Sequence, residues 1–277
     1  MILDLLDPSS RPILAMGAAK PLRKNHVRAQ SVHGPDGLGG LYRFKNPDGS
    51  LRYPEVPPPG HIPDATDVLF DLLKRYPDEM SLIALGPLTN LAEALKKNPM
   101  RMHRLREVVI MGGAVGVPGN ITPAAEFNIF MDPQAAHRVF QSGLPMTLVP
   151  LDVTERVCLK SEEIQALARV MGEPLGGFVR DITEQPIEHM KEVRGMSAIY
   201  LHDPLAVGVA IEPTFVKAAC LHVAIETSRG TAQGMTIADV RPITDDLKQP
   251  PNLDVALEVE SERFLTFFKE RLCQRLW

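Results

Sequence analysis

The sequence predicts an α/β protein, and three observations carry that expectation. Short apolar runs alternate with amphipathic stretches along most of the 277 residues, which is the order of strands and helices in series. One run, Glu107-Val108-Val109-Ile110-Met111, is β-branched and ends in Gly112-Gly113, as a buried parallel strand does. A hydrophobic content of 44% is enough to bury one large core.

The elements follow in order. Ile13-Leu14-Ala15-Met16 reads as a strand. The stretch from Leu41 to Pro63 contains Pro57-Pro58-Pro59, and proline removes backbone donors, so an irregular excursion is expected there. Val68, Leu69, Leu72, Leu73 and Tyr76 recur at helical spacing, and Pro77 ends that run. Leu82-Ile83-Ala84-Leu85 is the next strand, and Gly86-Pro87 turns the chain into a helix carrying Leu91 and Leu95. After Glu107–Met111, Asp132-Pro133 has the form of an N-cap with proline at the first helical position, and Gly143 stops the helix. Met146 to Leu151 is another strand.

Beyond Asp152 the pattern turns helical. Ser161 reads as the N-cap of a helix through Ile164, Leu167, Ala168 and Met171, and Gly176-Gly177 as the break before a second one. Asp203, just before Pro204 and the apolar Leu205-Ala206-Val207, reads as a helix cap. Leu221 to Ile225 and Val255 to Val259 are later strands, and Phe264, Leu265 and Phe268 lie on a closing helix as core residues.

Composition removes several classes of function. A net charge of -4 gives no broad electrostatic footprint for nucleic acid. Cys158, Cys220 and Cys273 are widely spaced, without metal-ligand spacing, so they are expected to be reduced packing residues. No basic leader precedes a long apolar run, and no stretch approaches roughly 18 consecutive apolar residues. A cytoplasmic location, with no membrane contact, is the resulting expectation.

The chemistry concentrates after the Glu107–Met111 strand. Gly119-Asn120-Ile121-Thr122-Pro123-Ala124-Ala125-Glu126-Phe127-Asn128 sets polar side chains among turn residues, at the carboxyl end of a strand, where open α/β sheets bind ligands. Each residue alone is an ordinary turn former. Together they suit a polyol: the amides of Asn120 and Asn128 donate and accept, and the Glu126 carboxylate accepts from two hydroxyls.

These residues resemble a known family. Met111-Gly112-Gly113, Gly119-Asn120, Thr122-Pro123, Ala125-Glu126-Phe127-Asn128 and Asp132-Pro133 together look like the central motif of the inosine-uridine preferring nucleoside hydrolases. His33-Gly34-Pro35-Asp36-Gly37-Leu38-Gly39, Gly86-Pro87-Leu88-Thr89-Asn90 and His202-Asp203-Pro204 agree with it in order. The resemblance implies a single doubly wound α/β domain with a mainly parallel sheet over residues 1–277. It implies hydrolysis of the N-glycosidic bond of purine or pyrimidine ribonucleosides to ribose and free base.

The resemblance also assigns residues. Asn120, Glu126, Asn128 and Asp203 would bind the substrate's ribose, and His202 or His33 would assist departure of the base. Calcium would be bound by Asp203 and by the backbone carbonyl of Leu85, whose side chain is expected in the core. Calcium takes oxygen ligands of both kinds and would orient and acidify the attacking water.

Family members open with a strand ending in an Asp-rich DxDPGxDD-type motif, followed by a strand ending in Gly-Asn. Neither stands near the start of this sequence, where Met1 to Leu6 looks like the tail of the helix that follows them. The resemblance therefore implies a domain without its first strands, most of its calcium ligands and its water-activating aspartate. From that follow lower stability or self-association into a homo-oligomer, and little turnover of inosine or uridine. The alternative function is a catalytically dead ribose- or nucleoside-binding relic.

Overall fold

The computed structural model describes residues 2–6, 8–22, 34, 36–54, 60–242 and 249–274. A short helix α1 (Ile2–Leu6) leads the chain. A βα series follows: α2 (Ala65–Arg75), β1 (Ser81–Ala84), α3 (Thr89–Lys97), α4 (Pro99–Met102), β2 (Glu107–Met111), α5 (Phe127–Met131), α6 (Pro133–Phe140) and β3 (Met146–Val149). Then come α7 (Leu151–Thr154), β4 (Cys158–Lys160), α8 (Ser161–Met171), α9 (Leu175–Arg194), β5 (Ala198–Tyr200) and α10 (His202–Ile211). β6 (Val216–Leu221), β7 (Val223–Ile225), β8 (Thr236–Ala238), β9 (Leu253–Val259) and α11 (Ser261–Cys273) close the chain.

The central sheet has the order β1-β2-β3-β9-β6. Its first four strands are parallel, with Ser81 opposite Glu107, Val108 opposite Met146 and Thr147 opposite Asp254. β6 runs antiparallel to β9, and β4 with β5 and β7 with β8 form separate antiparallel pairs. The mainly parallel α/β fold expected from the sequence is therefore present.

Side chains of β2 alternate between two cores because successive strand residues point to opposite faces. Val108 and Ile110 join Phe70, Leu91, Leu95 and Phe140 on the face covered by α2, α3 and α6. Val109 and Met111 join Ile164, Leu205 and Phe264 beneath α8, α10 and α11. Both faces of the strand are buried, so its sequence is continuously apolar rather than alternating. Helices on both faces make the sheet doubly wound.

Two aspartates cap α2 and α6, the second as the sequence suggests. Asp64 accepts from Thr66 N and Asp67 N at 2.9 and 3.1 Å to start α2. Asp132 accepts from Ala135 N at 3.1 Å to start α6, with Pro133 at its first position. Side-chain capping of this kind satisfies donors that have no partner inside the helix.

Several local expectations are corrected. Ile13 to Met16 form no strand of the sheet: Met16 makes one isolated bridge to Asp64, and Ile13 and Leu14 are exposed. The segment is a strap held by distant groups, with Met16 N donating to Pro63 O and Ala18 N to Asn90 Oδ1. Gly176 and Gly177 lie inside α9 rather than in a break. A Cβ on Gly176 would stand 1.9 Å from the Ala168 carbonyl, so glycine here permits close approach of α8 and α9. The N-cap of α8 is Lys160, one residue before Ser161. The run from Leu221 to Ile225 is divided at His222 between β6 and β7. Cys220 is exposed rather than packed.

The irregular excursion docks on α9 through one buried carboxylate. Asp181, only 3% exposed, accepts from Arg52 Nη1 at 2.9 Å and from Tyr53 Oη at 3.0 Å. The Tyr53 ring packs edge-on against Phe178 at 5.5 Å. Burial, and then the hydrogen bond to Asp181, push the Tyr53 phenol up to about 12. Among the described residues, no helix is long and apolar enough to cross a membrane.

Candidate active site

The loop after β2 is built around a buried glutamate. Gly113 adopts φ +82°, the left-handed region that glycine enters without steric cost, and its N–H donates to Glu126 Oε2 at 3.0 Å. Ile129 N donates to the same oxygen at 3.1 Å, and Asn128 N to Oε1 at 2.8 Å. Glu126 is thus the N-cap of α5 as well as a floor for the loop. It is 2% exposed. Burial, with Asp203 adding repulsion, pushes its carboxyl above the ordinary range against the pull of the three N–H donors.

The two asparagines are anchored by one end each. Asn128 Nδ2 donates to the Met111 carbonyl at 3.2 Å and lies 3.4 Å from its sulfur. Asn120 Oδ1 accepts from Phe127 N at 2.9 Å, which closes the loop upon α5. Gly119 has no space for a side chain, since a Cβ would lie 2.1 Å from the Ala125 carbonyl. Asn120 is exposed and Asn128 almost wholly buried, so the pair spans the depth of the loop.

Helix α7 joins this loop to α10. Leu151 N donates to Gly113 O at 2.9 Å. Asp152 accepts from Val115 N and Gly116 N at 2.9 and 2.6 Å. Thr154 Oγ1 lies 2.7 Å from His202 Nδ1. His202 opens α10 with Leu201 as its N-cap, so Asp203 stands in the first turn rather than at the cap position expected for it. Its charge adds repulsion to the burial that raises the Glu126 carboxyl.

Leu85 follows β1, and its side chain is 38% exposed, against the expectation that it belongs to the core. With Asp203 it lines a cavity of about 730 Å³, whose other walls include Val207, Ile211, Phe264 and Phe268. β1 stands at the edge of the sheet, so the first residue beyond it is not covered by a neighbouring strand. His33 lies outside the described residues.

Asn120, Glu126, Asn128, His202 and Asp203 are thus linked by one network of loop, α7 and α10. Leu85 joins it through the cavity shared with Asp203. Sequence reasoning missed Asp152, Thr154 and the Met111 carbonyl. Asp152 and Thr154 act on residues 36 and 48 positions away, and no local pattern marks such partners.

The model of the inosine-uridine preferring nucleoside hydrolases matches residues 1–266. The chain belongs to this family. It is 34% identical over 277 residues to the pyrimidine-specific ribonucleoside hydrolase RihA of Enterobacter sp. (strain 638), covering 99% of this chain and 82% of that one. Among solved structures, the purine-preferring ribonucleoside hydrolase from Gardnerella vaginalis aligns with TM-score 0.83 and 31% identity, over 98% of this chain and 83% of that one. A plant nucleoside hydrolase aligns with TM-score 0.79 and 30% identity, over 94% and 80%. At the level of this nucleoside hydrolase family, the function is hydrolysis of ribonucleosides to ribose and free base.

Proposed function

We propose that residues 1–277 form one nucleoside hydrolase-like unit in which Asn120, Glu126, Asn128 and Asp203 hold the ribose. The observation that carries this reading is the position of Glu126. Three backbone N–H groups fix its carboxylate beneath the loop, and a carboxylate so fixed accepts from a sugar hydroxyl without rotamer reorganisation. Asn128 presents its amide beside it at the carboxyl end of β2. The related enzymes named for pyrimidine and purine substrates share the ribose and differ in the base, so the proposal rests on the sugar.

In the reaction, water oxygen bonds to the anomeric carbon and loses one proton to solvent, the carbon–nitrogen bond breaks, and its electron pair leaves with the base. The polar loop orients the sugar, which is worth most when the reacting atoms are already close. His202, in its imidazolium form, donates a proton to the departing base and is left as neutral imidazole, an exchange that suits a histidine near neutral pH.

Asp203 and the Leu85 carbonyl supply two kinds of oxygen, whereas calcium takes about 6–8. Among the described residues no group of three or more His, Cys, Asp or Glu stands close enough to hold a metal. Among the described residues these donors do not complete a calcium shell. A second reading is a ribose-binding relic without turnover.

Ribose release from uridine and inosine, assayed by reducing sugar with and without added calcium, separates the two readings. Release by the wild type, reduced about 100-fold or more in His202→Ala as for loss of a general acid, supports hydrolysis. Nucleoside binding without release supports the relic. Neither binding nor release would overturn both.

A further inference from the structure

We propose that Thr154 is a positioning residue that fixes the His202 ring for proton donation from Nε2; this rests on the glycosidase reading given above. Thr154 is fully buried, and its hydroxyl has one hydrogen-bond partner among the described residues, His202 Nδ1 at 2.7 Å. A buried hydroxyl that finds no acceptor forfeits its desolvation cost. Donation to Nδ1 satisfies it. In the neutral imidazole Nδ1 accepts and Nε2 bears the hydrogen, and in the imidazolium that gives up a proton the same hydroxyl oxygen turns to accept from Nδ1–H, so Nε2 faces the base in both states.

The ring is also fixed in direction. Its neighbour Tyr200 packs against it at 5.5 Å, tilted by 57°. The Arg194 guanidinium lies 5.4 Å from the centre of the Tyr200 ring. Arg194 in turn pairs with Glu155 at 2.9 Å, the residue after Thr154. A closed circuit, Thr154 to His202 to Tyr200 to Arg194 to Glu155, therefore returns to α7, the helix whose Asp152 holds the polar loop. Thr154 sits where the geometry of the proton donor is referred to the geometry of the sugar site.

Thr154→Val preserves shape and removes the donor, while Thr154→Ser restores a hydroxyl. Two readouts test the role, after circular dichroism shows that each variant is folded. In long-range imidazole nitrogen spectra in alkaline buffer, with His202→Gln assigning the resonance, Thr154→Val is expected to move His202 Nδ1 toward the position of a nitrogen without a donor. Thr154→Ser should leave it in place. An unmoved resonance in Thr154→Val overturns the anchor.

In kinetics, Thr154→Val should lower kcat for uridine and inosine about 10- to 100-fold, the usual scale for a residue that orients a functional imidazole, with KM within about twofold. The serine variant should recover most of that loss. p-Nitrophenyl riboside, whose leaving group needs no proton, should be unaffected. Equal losses on nucleosides and on the riboside would show a merely structural role and overturn the proposal. A wild type that turns over neither substrate overturns the glycosidase reading and the catalytic half of this one, while the resonance still decides the anchor.

Discussion

Glu126→Gln is expected to weaken ribonucleoside binding roughly 10- to 100-fold, the loss of a charge-assisted hydrogen bond of about 1.5–3 kcal/mol. The geometry makes the substitution more than a change of charge. Oε2 receives two N–H groups, from Gly113 and Ile129, and Oε1 receives one from Asn128. An amide placed there turns an NH₂ toward at least one backbone N–H, and a buried donor facing a donor costs about 1–3 kcal/mol. The cap of α5 and the ribose contact should therefore weaken together. Calorimetric titration with uridine, alongside thermal unfolding of the same sample, reads both. A folded variant with wild-type affinity would remove Glu126 from the sugar site.

Asp132→Ala is expected to be strongly destabilising, at about 1.5–5 kcal/mol. The carboxylate is wholly buried and serves three segments: it accepts from Ala135 N to cap α6, from Thr89 Oγ1 at 2.7 Å, and from Leu22 N at 2.7 Å. Loss of the cap alone costs about 0.5–2 kcal/mol. The Thr89 hydroxyl, left buried without this acceptor, adds about 1–3 kcal/mol. For a chain of this size the melting temperature should fall by roughly 10 °C. Denaturant unfolding of both proteins checks it, and a loss below about 1 kcal/mol would show that water replaces the carboxylate in all three contacts.

Both residues show where the sequence was legible and where it was not. Asp132-Pro133 declared its helix because capping is a local interaction between neighbours in the chain. β2 was legible from end to end because burial on both faces imposes a continuous β-branched run. Glu126 was singled out for its carboxylate, yet its capping of α5 was not read, since glutamate is not a favoured N-cap residue. The strap at Ile13 to Met16 was mistaken for a strand because apolar residues look alike whether they enter a sheet or not. Its actual partner Pro63, and the Asn90 and Asp132 that hold Ala18 and Leu22 just after it, lie far along the chain. Asp203 looked like a cap by position before proline, but α10 begins one residue earlier. The motifs thus revealed which side chains belong together, while the hydrogen bonds that aim them, above all those of α7, arose from tertiary contacts.

The ribose grip is tested most directly by calorimetric titration of the wild type and Asn128→Ala with uridine and with 2′-deoxyuridine. If the loop after β2 holds the vicinal hydroxyls, the wild type binds uridine at least about tenfold more tightly than the deoxy compound, as for one lost hydrogen bond to a charged group, and Asn128→Ala erases most of that preference. Equal affinity of the folded wild type for the two nucleosides would contradict the account.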